Sequence, residues 1–367
     1  MAKNKANGTC PVQDMGGQAV LEGVMMRSGN AAAVTVRRPD GSMVTSLSHM
    51  TPPKEKHPWM GKPFIRGMVN MVTMLYYGMN TLNTSTQMLG ILDEEPTKFE
   101  KWLAKKLGKG VDKVVMGVAI VLAVLLSVGL FMAIPAAIEN WLKSTGMSPL
   151  GYTLISGLVK ITILVGYMVL VARVPDIRRT FMYHGAEHKS VHCFESDQAL
   201  TPENAKNFSR LHPRCGTAFL LIVFMISILL FLVMNVTLLL HVNNYFLRLL
   251  AHLVMLPVVA GVSYEVLMGL AHSKSPVARF LRWPGLQMQR LTTREPDPSM
   301  LECAIVSVNV VLNGLPAHAK KTSEGWAIIH DYRETEKGYV PPAAEEPASS
   351  AENAADIPVS DGDDANG

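Results

Sequence analysis

The chain is poor in charged residues and in cysteine, and both shortages narrow what it can be. Asp, Glu, Lys and Arg make up only 17% of its 367 residues, whereas apolar residues make up 49%. A net charge of only +4 gives no sign of a nucleic-acid-binding protein. The four cysteines form no C-x-x-C pair and no disulfide framework. The first residues lack the apolar run of a cleavable signal peptide. These absences favour a membrane protein built from apolar helices.

Long apolar runs are the most prominent feature that the sequence does have. Four runs are long enough for the roughly 20 residues that cross about 30 Å of hydrocarbon. They cover residues 114–138, 152–174, 217–241 and 245–271. The second run carries Lys160, and the fourth carries Arg248, His252 and Glu265. Arg248 and His252 are expected near the outer interface. The predicted fold class is mainly α: a polytopic membrane protein with about four transmembrane helices and a small cytoplasmic region that contains a β-hairpin.

The distribution of lysine and arginine predicts the orientation. The segments before the first run, between the second and third, and after the fourth are basic. The segment between the first and second runs is nearly neutral, and the last connection is very short. Because cytoplasmic loops carry the excess of positive charge, both termini and residues 175–216 are expected in the cytoplasm. Unpaired cysteines fit that reducing compartment.

The N-terminal part of the chain is predicted to contain two regions. Residues 1–63 are expected to form a cytoplasmic region with a β-hairpin, because two apolar-biased stretches flank the turn signal Pro39-Asp40-Gly41. Residues 64–113 are expected to form amphipathic or interfacial helices and a basic linker. Within them, the methionine-rich stretch 64–89 could lie in the interface or re-enter the bilayer.

The remaining regions are defined by the four apolar runs. Residues 114–272 are predicted to form a four-span membrane domain with a cytoplasmic histidine loop at 175–216. Residues 273–315 are predicted to form a cytoplasmic helical region, in which Asp297 followed by proline caps the last helix. Residues 316–367 are predicted to be a linker and a disordered acidic tail.

One motif in the histidine loop carries recognisable chemistry. His184-Gly-Ala-Glu187-His188 matches H-x-x-E-H, the pattern of inverted zinc peptidases. On a helix, positions i and i+4 share a face, so both imidazoles can reach one metal ion. Glu187 would lie where it can take a proton from an activated water molecule. The structural alternative is a solvated interfacial loop whose histidines contact head groups or each other.

A catalytic zinc site needs a third protein ligand and an open fourth position. The candidates are Glu265, His212, Cys215 and His192. Glu265 is preferred because carboxylates inside membrane spans are commonly functional, and because inverted zinc peptidases take a downstream glutamate as their third ligand. Arg214, in the stretch HPRCGT, is predicted to stabilise a developing anion. Its alternative role is a basic anchor at the membrane surface.

Seven separated blocks along residues 16–311 carry a family resemblance. They are GGQAVLEGVMMR, RRPDGS, RVPDIRRTFMYHGAEHKSVHCFE, LTPENA, HPRCGTAF, AGVSYE and QRLTTREPD. In this order they resemble the YqhQ-like bacterial membrane proteins, domain of unknown function 1385, a family labelled as predicted metal-dependent enzymes. The resemblance implies a multi-span protein of the bacterial inner membrane with a metal site around His184, Glu187 and His188. His192 lies outside the family's H-G-A-E-H core. The resemblance supplies no substrate.

Three functions compete at this stage. The first is a membrane-embedded hydrolase or peptidase that uses a divalent metal, zinc by its ligand types, on a membrane-anchored peptide or a lipid-linked molecule. The second is a non-enzymatic scaffold or assembly factor with a closed, structural metal site. The third is an ion or small-solute transporter that uses Glu265 and the histidines. The scarcity of polar residues in the first and third runs and the absence of an internal repeat count against the third. The lipid bilayer is the expected partner in all three.

Overall fold

The structure is a computed structural model that describes residues 15–51, 53–90, 111–213, 215–238, 242, 244–273 and 275–339. Its strands are β1 (Met15–Val20), β2 (Gly23–Ser28), β3 (Ala31–Arg37), β4 (Met43–His49) and β5 (Ala327–Ile329). Its main helices are α1 (Ile65–Leu89), α2 (Val111–Val128), α3 (Ile134–Ser144), α4 (Pro149–Val171), α5 (Pro175–Glu195), α6 (Pro202–Lys206), α7 (Gly216–Thr237), α8 (Tyr245–His272), α9 (Pro276–Thr292) and α10 (Pro298–Asn313). A π-helical turn at Gly129–Ala133 joins α2 to α3.

The five strands form one antiparallel sheet in the order β1-β2-β3-β4-β5. β3 and β4 form the hairpin that the sequence predicts, with Asp40 accepting hydrogen bonds from the backbone and hydroxyl of Ser42 and with Gly41 at φ 87°. The sheet is nevertheless larger than a hairpin. β1 and β2 precede it, and β5 pairs with β4 from the region that was predicted to be a linker. The linker prediction is wrong for these residues. A strand of only three residues is too short to show the alternation of apolar and polar residues by which strands are recognised.

Helix α10 covers this sheet. It begins after Asp297, whose side chain accepts from the backbone N–H of Met300, and it ends before Gly314, as predicted. The hydroxyl of Ser307 donates to the carbonyl of Val24 at 2.8 Å. The thiol of Cys303 lies 3.2 Å from the carbonyl of Thr35. The N-terminal and C-terminal regions, which the sequence treats separately, therefore share one core.

Among the described residues, three helical stretches are long and apolar enough to cross a membrane. They are Gly117–Ser144, Pro149–Val171 and Tyr245–Leu270. Within α7, the stretch Leu221–Thr237 is apolar but shorter. The structure is thus mostly helical, with three candidate spans and a small antiparallel sheet. The described residues support membrane association, as predicted from the composition.

Helix α1 connects the sheet to the candidate spans. The stretch 64–89, for which the sequence leaves two placements open, forms one continuous helix of 25 residues from Ile65 to Leu89. Near its start, Gly67 packs so closely on α8 that an added Cβ would lie 2.7 Å from Cβ of Tyr264. At its end, the carbonyl of Met88 accepts from Arg38 beside the sheet at 2.9 Å. α1 therefore contacts both parts of the protein.

The segment 175–216, predicted as a histidine loop, is largely helical. α5 runs over 21 residues and starts with Pro175 at its first helical position, where a proline costs no backbone hydrogen bond. It packs between α10 and β1. This connection between the apolar runs thus contains a helix, and the polar residues from Glu187 to Ser190 are buried in protein.

Candidate metal centre on helix α5

Helical spacing brings the histidines of α5 onto one face. His184, His188 and His192 follow each other at intervals of four residues, which is close to one turn. The ring centroids of His184 and His188 lie 4.5 Å apart. His188 is buried and His184 is half-buried. This is the face that the H-x-x-E-H pattern predicts.

Gly185 explains how a second segment reaches the same face. A Cβ at this position would overlap the carbonyl oxygen of Arg294. The backbone N–H of Arg294 donates to the carbonyl of Phe181 at 2.8 Å. The segment that follows α9 therefore lies directly on α5, and glycine is required in spite of its cost of about 1 kcal/mol in a helix.

Two backbone carbonyls fix the tautomers of the paired histidines. Nδ1 of His184 lies 2.9 Å from the carbonyl oxygen of Thr292, and Nδ1 of His188 lies 2.5 Å from that of Arg210. Because a carbonyl oxygen only accepts, each Nδ1 carries the hydrogen and each Nε2 keeps its lone pair. Metal-ligating histidines are typically oriented in this way. Nε2 of His188 is buried and has no hydrogen-bond partner in the described part of the chain.

Cys215 brings a third potential ligand atom to the two histidines. Its Sγ lies 3.3 Å from Nε2 of His184. One ligand atom from each of His184, His188 and Cys215 lies within 4.8 Å of the other two. Two imidazoles and a thiolate form a donor set that zinc uses in proteins. The orphaned Nε2 of His188 and the nature of these donors both fit a bound divalent metal.

Gln289 of α9 holds the segment that carries Cys215 in place. The amide oxygen of Gln289 accepts from the backbone N–H of His212, and its amide nitrogen donates to the carbonyl of the same residue, both at 2.8 Å. Gln289 is completely buried. These reciprocal bonds fix the backbone three residues before the thiol.

Glu187 lies beside the three ligands without belonging to their group. Its carboxylate is buried, with Oε2 at 3.9 Å from Nε2 of His184. Burial raises the pKa of the Glu187 carboxyl, while His184 and the backbone N–H of Gly17 oppose the rise. Gly17 is needed here, because an added Cβ would lie 2.9 Å from Cγ of Glu187. Strand β1 thus closes one side of the site.

His212 belongs to a second, neighbouring group. One ligand atom from each of His192, Glu195 and His212 lies within 4.8 Å of the other two. Nε2 of His212 is 3.5 Å from a carboxylate oxygen of Glu195. Burial, reinforced by His192 and His188, lowers the pKa of His212 to about 3, so its imidazole is neutral. Glu195 is not among the residues predicted from the sequence, although its position three residues after His192 places both on one helical face.

The structure does not bring Glu265 to the histidines. Its carboxylate accepts from Nε of Arg66 at 2.8 Å, from a terminal nitrogen of the same guanidinium at 2.5 Å, and from the backbone N–H of Phe64 at 3.1 Å. It belongs to neither group of ligand atoms among the described residues. The described residues therefore give Glu265 the role of a partner of Arg66 and not that of the predicted third ligand, and its use in an ion path stays a prediction. The close packing of α1 on α8 brings Arg66 to Glu265, a contact that the sequence does not predict.

Arg214, the predicted anion-stabilising residue, lies outside the described residues. Its role stays a prediction. The carbonyl of Arg210, in the same segment, orients His188.

Comparisons with known proteins agree on one family. Residues 62–314 match the model of a family described as "Protein of unknown function (DUF1385)". The "Uncharacterized protein YqhQ" of Bacillus subtilis (strain 168) is 33% identical over 302 residues, which is 81% of this chain and 92% of that protein. No solved structure matches the chain. The matched region includes α5 and both groups of ligand atoms.

Proposed function

The chain belongs to the DUF1385 family, and we propose that it is a membrane-associated, metal-dependent hydrolase. The convergence of His184, His188 and Cys215 beside a buried carboxylate carries this proposal. Three protein ligands leave a fourth position open, which is the arrangement of catalytic rather than structural zinc sites.

Each residue of the group has a distinct task in this proposal. His184, His188 and Cys215 would hold a divalent metal, for which zinc fits the ligand types best. Zinc bound in this way supplies Lewis acidity and lowers the pKa of a coordinated water molecule to about 7. The carbonyls of Thr292 and Arg210 keep both imidazoles in the tautomer that offers Nε2.

Glu187 is the proposed general base. Its carboxylate oxygen lies 3.9 Å from a proposed ligand atom, near enough to accept a proton from a water molecule at the site. Returning that proton to the leaving group would complete hydrolysis. The Gly17 N–H and the closely packed β1 hold the carboxylate in place.

The substrate is proposed to be membrane-associated. α7 starts at Gly216, directly after Cys215, and the candidate span α4 ends at Val171, just before α5. These connections support a site at the bilayer surface. The basic segments around α5 favour the cytoplasmic face of a bacterial inner membrane, with both termini on the same side. A membrane-anchored peptide or a lipid-linked molecule fits this location.

Replacing Glu187 separates catalysis from metal binding. We expect purified Glu187→Gln protein to keep its metal and to lose turnover, because the amide cannot accept the proton. Metal content is measured on protein in detergent. Turnover is measured by comparing peptides and lipids in membranes from cells that express either form. The exposed Glu203→Gln serves as the matched control and should behave like the wild type. Well-folded wild type without metal, or unchanged products with Glu187→Gln, would contradict the proposal.

A structural metal site in a scaffold or assembly factor is the second candidate. The burial of His188 and Glu187 favours it, because enclosed sites restrict substrate access. A metal would then tie the segment before α7 to α5. Such a site has four protein ligands. In this case Glu187→Gln would be silent in cells, whereas His188→Ala would abolish function.

A further inference from the structure

A second polar site lies among the candidate spans, away from the metal centre. Glu139 of α3 and Arg248 of α8 form an ion pair at 2.6 Å, with both side chains only 3% exposed. Asn235 of α7 donates to Glu139 at 2.9 Å and accepts from Arg248 at 3.0 Å. Arg248 and His252 are both buried in protein, and their predicted place near the outer interface of the membrane stays a prediction.

A cavity of about 440 Å³ adjoins this network. Its walls are mostly apolar, with Phe131, Leu164 and Phe224 among them. Lys160, Glu139 and His252 supply polar groups. The volume lies within the roughly 300–1,000 Å³ typical of small-molecule sites. Tyr167 on its rim is 42% exposed, so the cavity opens towards the surface that would face lipid.

The charges around the cavity do not balance. Lys160 is 8% exposed, and its ammonium lies 4.4 Å from the centroid of the Phe231 ring. No salt bridge joins it to a carboxylate in the described ranges. Glu139 already pairs with Arg248. Charges inside membrane spans are costly unless they are paired or functional, so a ligand with a negative charge would complete the site.

His252 specifies a second property of the ligand. Its Nδ1 lies 2.9 Å from the carbonyl oxygen of Arg248, so Nδ1 carries the hydrogen. Nε2 is then an acceptor. This atom is buried and has no hydrogen-bond partner in the part of the chain that the structure describes, and the residue that carries it lines the cavity. A ligand that fits must donate a hydrogen bond to it.

We infer that this cavity binds the head group of a lipid phosphate monoester. A singly ionised phosphate monoester offers charged oxygens to Lys160 and a P–O–H group to Nε2 of His252. Its apolar chain fits the remaining walls and can leave at the Tyr167 rim. A phosphodiester lipid has the same charge but no P–O–H group. A fatty acid carboxylate has no hydrogen to donate.

These differences provide a test on the unmodified protein. Wild type is reconstituted in phosphatidylcholine nanodiscs with hexadecyl phosphate, methyl hexadecyl phosphate or hexadecanoic acid, and bound ligand is counted by native mass spectrometry. We expect one hexadecyl phosphate per chain and at least about tenfold weaker binding of the other two, because each lacks the donor for His252. Equal binding of the monoester and the methyl diester, or no bound monoester, would overturn the inference.

Two variants test which side chains contact the bound phosphate. Lys160→Met removes the charge, and His252→Asn keeps a donor near the Nδ1 position while removing the Nε2 acceptor. Both should lower occupancy by hexadecyl phosphate at least about tenfold. Lys143→Met removes a nearby charge outside the cavity lining and should stay within about threefold of wild type. Equal losses in Lys143→Met and Lys160→Met would indicate general electrostatic attraction and overturn the inference. Metal content should be unchanged in all three variants, which separates this site from the metal centre.

Discussion

Nε2 of His184 lies 3.3 Å from Sγ of Cys215, although the two residues are 31 positions apart in the chain. Helix α5 provides the first atom, and the segment leading into α7 provides the second. Neither the periodicity of α5 nor the H-x-x-E-H pattern requires this contact. It makes Cys215, rather than Glu265, the third candidate ligand.

Replacing the thiol should weaken metal binding. We expect Cys215→Ser to lower metal affinity by more than the roughly 10–100-fold that is typical of an outer-shell partner, because it removes a direct ligand. Substituting cobalt should give a thiolate-to-metal charge-transfer band in wild type that Cys215→Ser lacks. Cys303→Ser, a buried thiol of α10 that contacts the carbonyl of Thr35, is the control and should keep both the affinity and the band.

The two hydrogen bonds from Gln289 to the backbone of His212 should strengthen metal binding, although Gln289 contacts none of the proposed ligand atoms. Gln289→Leu removes both hydrogen bonds to the backbone of His212 and frees the segment that carries Cys215. We expect metal affinity, measured by competition with a chelator, to fall about 10–100-fold. Gln287→Leu, a half-buried position on the same helix, should bind like wild type. Unchanged affinity in Gln289→Leu would show that the segment is held by other contacts.

Gly185→Ala should displace the segment after α9 from α5. The added methyl group overlaps the carbonyl of Arg294, so we expect a loss of about 1–3 kcal/mol in the free energy of unfolding. Metal affinity should fall as well, since His184 loses its fixed distance to Thr292. Gly166→Ala is the matched control, because nothing lies within 4 Å of its added Cβ. Equal stability of the two variants would contradict the close contact.

Glu265→Gln should leave the metal centre intact. The carboxylate pairs with Arg66, whose side chain is 40% exposed, so we expect only a small loss of stability because solvent screens the pair. Hydrogen exchange should increase at the start of α1, where the backbone N–H of Phe64 also loses a charged acceptor. Loss of metal from this variant would restore Glu265 as a ligand and refute the assignment of Cys215.

The sequence predicts local features of this protein well and its long-range contacts poorly. Asp297 and Gly314 mark the ends of α10, and the spacing of His184 and His188 predicts a shared face, because helix periodicity and capping are local. The partner of Glu265 could not be predicted, since Arg66 is 199 positions away. Nor could β5, which joins the sheet by pairing with a distant strand. The close packing of Gly185 against the carbonyl of Arg294 cannot be predicted from a single sequence either.

X-ray absorption spectroscopy at the zinc edge, on wild-type protein purified in detergent, tests the metal centre most directly. The account predicts one sulfur at about 2.3 Å and two imidazole nitrogens at about 2.0–2.1 Å, with one further light atom that is not a histidine. The sulfur should vanish in Cys215→Ser, and one nitrogen should vanish in His188→Ala. A fully folded protein that binds no zinc, or a zinc shell without sulfur, would contradict it.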